Sequence, residues 1–267
     1  MIGFFGGMGT RGGSSAQDIA VFQSLTKGSA LADRVKQFAK SGEVEREVQY
    51  FRENISKVKS PEEFFKNRRL HAFALSAYDM EEELNYPARS KQVMMSDLND
   101  RMSLANRMTA VGHREMALSF EFYKERNANE KPEALELRQV AKLRDTAFVE
   151  RVVSKYIQSE FEQQFRSNSP SVSDALYFKR KIASVTSTYQ LIGDGVLLGV
   201  AMDGMGIPRA LAGQSTEKLK EALDKGFDLA RAKKEPEYLD RFLNRFIVMR
   251  DLQAMQNTRN PLLGVFE

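Results

Sequence analysis

The sequence predicts an all-α protein, and three observations lead to that prediction. Apolar residues recur at intervals of three and four along most of the 267-residue chain, as they do on one face of a helix. Few segments show the period-two alternation of a strand, and none lies beside a two-residue hairpin turn. Serine-proline pairs and glycines stand where helices would begin and end. We therefore expect helices along the chain.

An internal repeat is the second feature of the fold. Residues 50–80 align without a gap with residues 177–207, each residue matching the one 127 positions later. The identical pairs are Tyr50/Tyr177, Phe51/Phe178, Ile55/Ile182, Val58/Val185, Ser60/Ser187, Leu70/Leu197 and Ala74/Ala201. A self-match of this length indicates a duplicated supersecondary unit. Because the shared positions are mostly apolar, we expect the unit to serve packing, with the apolar members of these pairs in the core.

The first elements of the chain are three helical runs. Ser14-Ser15 precede the first, which Gly28 ends, and Ser41-Gly42 ends the second. The third starts at Glu43 and carries Val44, Val48, Phe51, Ile55 and Val58 on one face.

A helical hairpin is expected next. Ser60 to Glu63 combines an N-cap serine, a proline in the first turn and the glutamate of a capping box, and a further helix is expected from about Asn67. Residues 86–122 are expected to form short helices joined by turns. Pro132, which closes a polar stretch, is the predicted boundary between two halves.

The second half begins with the longest helical pattern, Glu133 to Phe165. The second copy opens at Ser169-Pro170, and Asp194 to Met205 is its buried hairpin partner. A capped helix from Thr216 and a long one from Pro236 to about Gln256 follow.

These elements predict two pseudo-repeated helical halves around a shared core. We expect a flexible N-terminal tail at 1–14, a first half at 15–131, a second half at 132–257 and a C-terminal tail at 258–267.

Composition excludes several classes of protein. The chain has no cysteine, so it has no disulfide and no thiolate nucleophile. Forty basic and thirty-six acidic residues give a net charge of +4, which is too mixed to indicate nucleic acid. No stretch approaches eighteen apolar residues, so no transmembrane helix is expected. The start of the sequence does not read as a cleavable secretory signal, and a cytoplasmic location is expected.

Several strings resemble a known family. The second copy carries ALYFKRK at 175–181, VTS at 185–187, YQLIGD at 189–194 and Leu197 to Pro208, with Tyr156 and Glu160 upstream. The first half adds Tyr50-Phe51, Ile55, Lys57-Val58, Ser60, SLANRM at 103–108 and SFEF at 119–122. Together they resemble a bacterial family of unknown function whose genes tend to lie in flagellar gene clusters.

The resemblance implies a flagellum-associated protein whose partners are flagellar components. It brings no catalytic residues. Flagellar export, which uses uncleaved signals, is the alternative to a cytoplasmic location. The family pattern has Asp before the second helix of the hairpin; the second copy keeps Asp194, whereas the first has Asn67.

No motif indicates an enzyme, a cofactor or a metal site. Gly7 to Gly12 matches G-x-G-x-x-G but lacks the surrounding βαβ unit of a dinucleotide site. His71 and His113, the two histidines, lack further ligands at helical spacing and are expected to be structural. Glu81-Glu82-Glu83 is expected to be a solvated helix end. The basic residues of the two copies are expected to cover polar faces: Arg52, Arg68, Arg69, Lys179, Arg180 and Lys181.

The ends of the sequence carry the candidate docking residues. Apolar side chains stand in a glycine-rich segment and after an Asn-Pro break, where no stable helix is expected. The candidate partner-docking residues are Phe4, Phe5, Leu262, Leu263 and Phe266. They either bind a partner or fold back on the body.

Two functions are compatible with the sequence. The first is a non-enzymatic structural or assembly protein of the flagellum, acting by protein–protein contacts. The alternative is a small-ligand-binding protein or enzyme with a pocket between the two helical halves.

Overall fold

A computed structural model describes the backbone of residues 15–259 and the side chains of residues 15–254. Over this range the protein is all-α, with no strand, so the predicted fold class is confirmed. The helices, in chain order, are α1 (Ser15–Thr26), α2 (Ala30–Phe38), α3 (Gly42–Ile55), α4 (Pro61–Lys66), α5 (Arg68–Ala77), α6 (Pro87–Met94), α7 (Leu104–Arg107), α8 (Val111–Phe120), α9 (Pro132–Gln139), α10 (Thr146–Gln163), α11 (Pro170–Lys181), α12 (Thr188–Gly193), α13 (Gly195–Met205), α14 (Thr216–Gly226), α15 (Leu229–Lys234) and α16 (Pro236–Arg259). Short 3-10 turns stand at Glu81–Asn85, Ala141–Arg144 and Arg209–Gly213.

Polar caps begin the short helices where the sequence predicts them. The Ser60 hydroxyl accepts a hydrogen bond from the Glu63 N–H at 3.2 Å, and the Glu63 carboxylate accepts one from the Lys59 N–H at 2.8 Å. This is the predicted capping box of α4. Asn67 caps α5 by accepting from the Leu70 N–H at 3.1 Å. Ser169, by contrast, stands at the N-cap position of α11 but makes no capping hydrogen bond.

The pattern expected as one helix from 133 to 165 is broken. Asp145 interrupts it with an extended backbone and caps α10 by accepting from the Ala147 N–H at 2.8 Å. Val140 and Leu143 on the preceding segment are still buried, so the apolar period continues through the break. Periodicity therefore located the buried positions but not the end of the helix.

The three helices of the first copy recur in the second at the same offset of 127 residues. The residues of α4 correspond one for one to those of α12, and α3 and α5 correspond to α11 and α13 within two residues at either end. The Tyr50 hydroxyl lies 3.3 Å from Asn67 Oδ1, and the Tyr177 hydroxyl donates to Asp194 Oδ2 at 2.6 Å.

The hairpins also end alike. Asp79 and Gly206, at corresponding positions, both have a left-handed backbone, with φ of 60° and 71°. The next residue of each copy also makes the same backbone hydrogen bond. The N–H groups of Met80 and Ile207 each donate to the carbonyl oxygen five residues earlier, at 2.9 Å. These recurrences are what a duplication predicts. Superposition of the two hairpins stays a prediction.

The predicted core positions are buried. Phe51, Ile55, Val58, Leu70 and Ala74 all belong to the core, as do their partners in the second copy. The core consists of two large apolar clusters and a small third one around Val93, Ala105 and Ala117. The first joins α3, α4 and α5 to α10, and the second joins α11, α12 and α13 to α16. Phe38 of α2 packs against both clusters.

The clusters divide the chain differently from the expected halves. α1 carries Phe22 and Leu25 into the second cluster, where it packs against α11 and α16. α10, from the expected second half, places Val152 and Tyr156 in the first cluster. Each of the two large clusters therefore includes a helix from the other side of the predicted boundary at Pro132. The sequence did not predict this, because no local pattern specifies which apolar faces pack together. Within residues 15–259 no helix has the length and apolarity needed to cross a bilayer.

Candidate functional site

The candidate docking residues Phe4, Phe5, Leu262, Leu263 and Phe266 lie outside the described residues, as does the glycine motif at 7–12. The structure does place the two points from which these segments extend. The backbone N–H of Ser15 donates to Asp251 Oδ2 at 3.0 Å, and α1 packs along α16. From Asp251, α16 continues to Arg259, about 12 Å at 1.5 Å per residue. The first described residue and the last described residue of the chain therefore lie within about 12 Å of the Ser15–Asp251 contact.

A carboxylic acid is buried where α1 meets α16. Asp18 is buried, and one of its oxygens has no hydrogen-bond partner among the described residues. Burial raises the pKa of Asp18, a hydrogen bond with Ser169 opposes that rise, and the nearby charge of Asp251 adds to it.

The two histidines are buried within the first half, each beside one polar side chain. His71 Nε2 lies 2.7 Å from the Ser90 hydroxyl, and burial, with Arg68 nearby, lowers the pKa of His71 to about 4. His113 Nε2 lies 3.0 Å from Glu83 Oε1. Of the glutamates expected on a solvated helix end, Glu81 and Glu82 are exposed, whereas Glu83 is buried, where Arg89 at 2.8 Å balances its charge. Throughout the described part of the chain no cluster of three His, Asp or Glu residues could hold a metal ion.

A buried ionic network joins the two copies, where basic residues were expected on a polar face. Arg180 Nη2 lies 2.7 Å from Asp79 Oδ1 and 2.7 Å from Glu162 Oε2. Lys181 Nζ lies 2.9 Å from Asp79 Oδ2 and 3.5 Å from Glu115, and its side chain is only 4% exposed. Asp79 ends the hairpin of the first copy, and Arg180 and Lys181 belong to α11 of the second. Both cations are paired with carboxylates, so the network is a structural link and leaves neither of them free for a ligand.

The basic residues of the first copy, Arg52, Arg68 and Arg69, are exposed as expected. Arg52 stays at the surface and pairs with Glu150 at 2.6 Å, with both side chains about half exposed. Both arginines pair with distant carboxylates, 98 residues away for Arg52 and 101 for Arg180, so the two differ in burial and not in sequence distance. No local pattern distinguishes the two arginines.

A pocket of about 220 Å³ opens between α3, α5, α10 and the 3-10 turn at Glu81–Asn85. It lies between segments of the two expected halves, as the ligand-binding alternative required. Its lining residues are Glu47, Arg69, Ala72, Phe73, Leu75, Ser76, Glu81, Leu84, Tyr156 and Glu160.

An aromatic pair forms one wall of this pocket. The rings of Phe73 and Tyr156 are stacked with centroids 3.8 Å apart. Tyr156 is 8% exposed, and its hydroxyl makes no hydrogen bond to any residue that the structure describes. Burial raises the pKa of Tyr156, and the charges of Glu160 and Glu47 raise it further. The hydroxyl is therefore protonated and available to a bound molecule.

Two carboxylates in the pocket lack a cationic partner among the described residues. Glu160 accepts from the Ser76 hydroxyl at 2.7 Å, and Glu81 accepts from the side-chain amide of Gln163. Partial desolvation at the pocket raises the pKa of Glu81, and the nearby charges of Asp79 and Glu160 add to that rise.

The one arginine of the pocket is already paired. Arg69 binds Glu47 through Nε at 2.9 Å and Nη2 at 3.0 Å and stacks over the ring of Tyr50 at 3.8 Å. Negative charge beside an aromatic wall selects a cation. Sequence analysis did not identify this site. Tyr156 and Glu160 are four residues apart and therefore lie on one face of α10. This spacing of a tyrosine and a carboxylate is the sequence feature from which the site could have been predicted.

Comparison with known proteins gives a family and a fold. A family model described as protein of unknown function (DUF1217) matches residues 77–239, which is more than half of the chain. A crystal structure of an Agrobacterium tumefaciens protein, determined by structural genomics, is 21% identical, with a TM-score of 0.73 over 92% of this chain and 98% of that one. At this identity the likeness establishes the fold alone. Among curated proteins none matches the chain.

Proposed function

The chain belongs to the DUF1217 family of proteins of unknown function, and we propose that it is a non-enzymatic structural or assembly protein of the bacterial flagellum. It acts by protein–protein contacts made through the two ends of the chain. The flagellar part of the proposal is supported by the resemblance of its sequence strings to a family with flagellar gene neighbours. Its proposed location is the cytoplasm, with flagellar export as the alternative.

The contact between Ser15 and Asp251 carries the assembly part of the proposal. It brings the starting points of residues 1–14 and 258–267 to the same end of the body. Two apolar segments that start so close together can bind one partner at once, which raises the effective concentration of the second contact. Two segments that started at opposite ends of the body could not bind one small partner at the same time.

The test removes the apolar character of the ends while keeping their length. The test variant combines Phe4→Ser, Phe5→Ser, Leu263→Ser and Phe266→Ser, and an affinity tag is inserted at the exposed Asn127 so that both ends stay free. Binding is measured by cosedimentation with purified hook–basal bodies of the source bacterium. We expect the natural chain to cosediment and the test variant to stay in the supernatant.

A matched control removes as many apolar side chains from the surface of the body. Met102→Ser, Leu118→Ser, Leu137→Ser and Tyr189→Ser affect large apolar residues that are all exposed. This control should cosediment as well as the natural chain, and both variants should melt at nearly the natural temperature. Fold-back ends would give the reverse result, since each buried apolar side chain contributes about 1.5–3 kcal/mol. A test variant that melts several degrees lower and still cosediments contradicts the proposal.

A further inference from the structure

The pocket at Tyr156 has a counterpart in the second copy. At the offset of 127 residues, Glu47 and Ser76 correspond to Asp174 and Asp203, and Ala72 corresponds to Gly199. These are three of the positions through which α3 and α5 line the pocket.

The helix that closes the pocket also has a counterpart. α10 packs against α5 and α3 in the first cluster, as α16 packs against α13 and α11 in the second. The two helices begin 90 residues apart, and three buried positions match at that spacing, in the pairs Val149/Leu239, Val153/Leu243 and Tyr156/Phe246. By the same spacing, Glu160 corresponds to Arg250.

In the second copy, the residues that correspond to the pocket lining surround Arg250. Its guanidinium pairs with Asp174 and, through Nε at 3.2 Å, with the fully buried Asp203. It lies 4.7 Å over the ring of Phe246, and its Nη2 is 3.7 Å from the point that a Cβ on Gly199 would occupy. In the second copy, the chain itself therefore supplies a guanidinium that lies between two carboxylates and an aromatic ring.

In the first copy the same place is open. Glu160 replaces the arginine, Tyr156 replaces Phe246, and a cavity of about 220 Å³ remains. Arg69 does not compensate, because its guanidinium is bound to Glu47 and stacked on Tyr50.

We propose that this pocket binds an alkylguanidinium ion supplied from outside the chain. The carboxylates of Glu160 and Glu81 accept its N–H groups, Tyr156 offers a ring and a free hydroxyl, and Phe73 and Leu84 contact the alkyl part. Charge-assisted bonds of this kind are the strong ones in proteins. The volume suits a guanidinium on a short alkyl chain, because pockets for drug-sized ligands start at about 300 Å³. This inference is independent of the function proposed for the chain ends.

The test uses N-propylguanidinium as the probe and N-propylurea, its uncharged isostere, as the reference compound. Binding to the full chain is measured by calorimetry and by NMR shifts. We expect N-propylguanidinium to bind and N-propylurea not to bind. Glu160→Gln should weaken binding at least about tenfold, the loss of one charge-assisted contact. Glu237→Gln, at an almost fully exposed glutamate of α16, should leave binding unchanged.

A second variant tests the correspondence between the two copies. Glu160→Arg should place a guanidinium in the pocket from within, as Arg250 does, so that probe binding is lost without a fall in melting temperature. If Glu160→Arg does not fold, Glu160→Lys serves in its place and should abolish probe binding, because it also supplies a cation from within the chain.

The source of the ligand is decided by a second probe, the blocked peptide acetyl-Gly-Arg-Gly-amide. Tighter binding of the peptide identifies the arginine side chain of a protein partner, and tighter binding of N-propylguanidinium identifies a free small molecule. Equal binding of N-propylguanidinium and N-propylurea overturns the proposal. So does the absence of binding at about 10 mM, a concentration at which even weak ligands of this size bind.

Discussion

Replacing Asp79 with asparagine should destabilise the protein strongly, because this carboxylate anchors the link between the two copies. Asp79 accepts from both terminal nitrogens of Arg180, at 3.0 and 2.7 Å, from Lys181 at 2.9 Å and from the Ser159 hydroxyl at 3.0 Å. Burial acts to raise the pKa of Asp79, but Arg180 and Lys181 hold it below its usual range. The carboxylate is therefore ionised at neutral pH.

The magnitude follows from what the substitution leaves behind. The Lys181 ammonium, 4% exposed, loses its nearer counter-ion and keeps only Glu115 at 3.5 Å. Removing one partner of a buried ion pair costs about 3–5 kcal/mol. Because Arg180 retains both hydrogen bonds to Glu162, we expect the lower part of that range, about 3 kcal/mol.

Urea unfolding at pH 7, followed by circular dichroism, measures the loss. Glu150→Gln is the control, since it breaks the half-exposed pair with Arg52, which should contribute at most about 1 kcal/mol. Asp79→Gly should cost roughly 1 kcal/mol less than Asp79→Ala, because residue 79 has a left-handed backbone that glycine adopts without strain. A loss for Asp79→Asn no larger than that of Glu150→Gln would refute the assigned role of the network.

Three further predictions concern the core and pH. Leu70→Ala and Leu197→Ala should each cost about 2–5 kcal/mol in urea unfolding, as truncation of a buried leucine does, and a loss below about 0.5 kcal/mol at both would contradict their core positions. His71→Gln should flatten the acid side of the stability curve. Burial lowers the pKa of His71 to about 4, so as pH falls the unfolded chain takes up a proton before the folded protein does. The free energy of unfolding therefore decreases by about 3 kcal/mol between pH 6.5 and pH 4. If the slope of stability against pH is unchanged in His71→Gln, another group controls it. Asp18→Asn should raise the melting temperature at pH 7. The raised pKa of Asp18 means that the folded protein disfavours the ionised carboxylate, so stability falls as pH rises above the pKa of Asp18 in the unfolded chain. A lower melting temperature at pH 7 would mean that the Asp18 charge is stabilising.

The sequence by itself determined the features that depend on neighbouring residues. Helical periodicity identified the all-α class and the buried faces that carry Phe51 and Leu70, because side chains three and four apart share a face. The capping box at Ser60 was predictable for the same reason, since its donors and acceptors lie within four residues. The docking role of Phe4, Phe5, Leu262, Leu263 and Phe266 stays a prediction.

Only the tertiary structure decided what depends on contacts between distant segments. Arg180 and Arg52 look alike in the sequence, yet only Arg180 meets carboxylates 101 and 18 residues away in the interior. The pocket likewise requires α10 to cross from the expected second half onto α3 and α5, which brings Glu160 against Ser76 over 84 residues. An apolar helix face does not specify which other face it packs against, because the hydrophobic effect is not directional. Which faces meet, and which charges they bury, is fixed only when the helices pack.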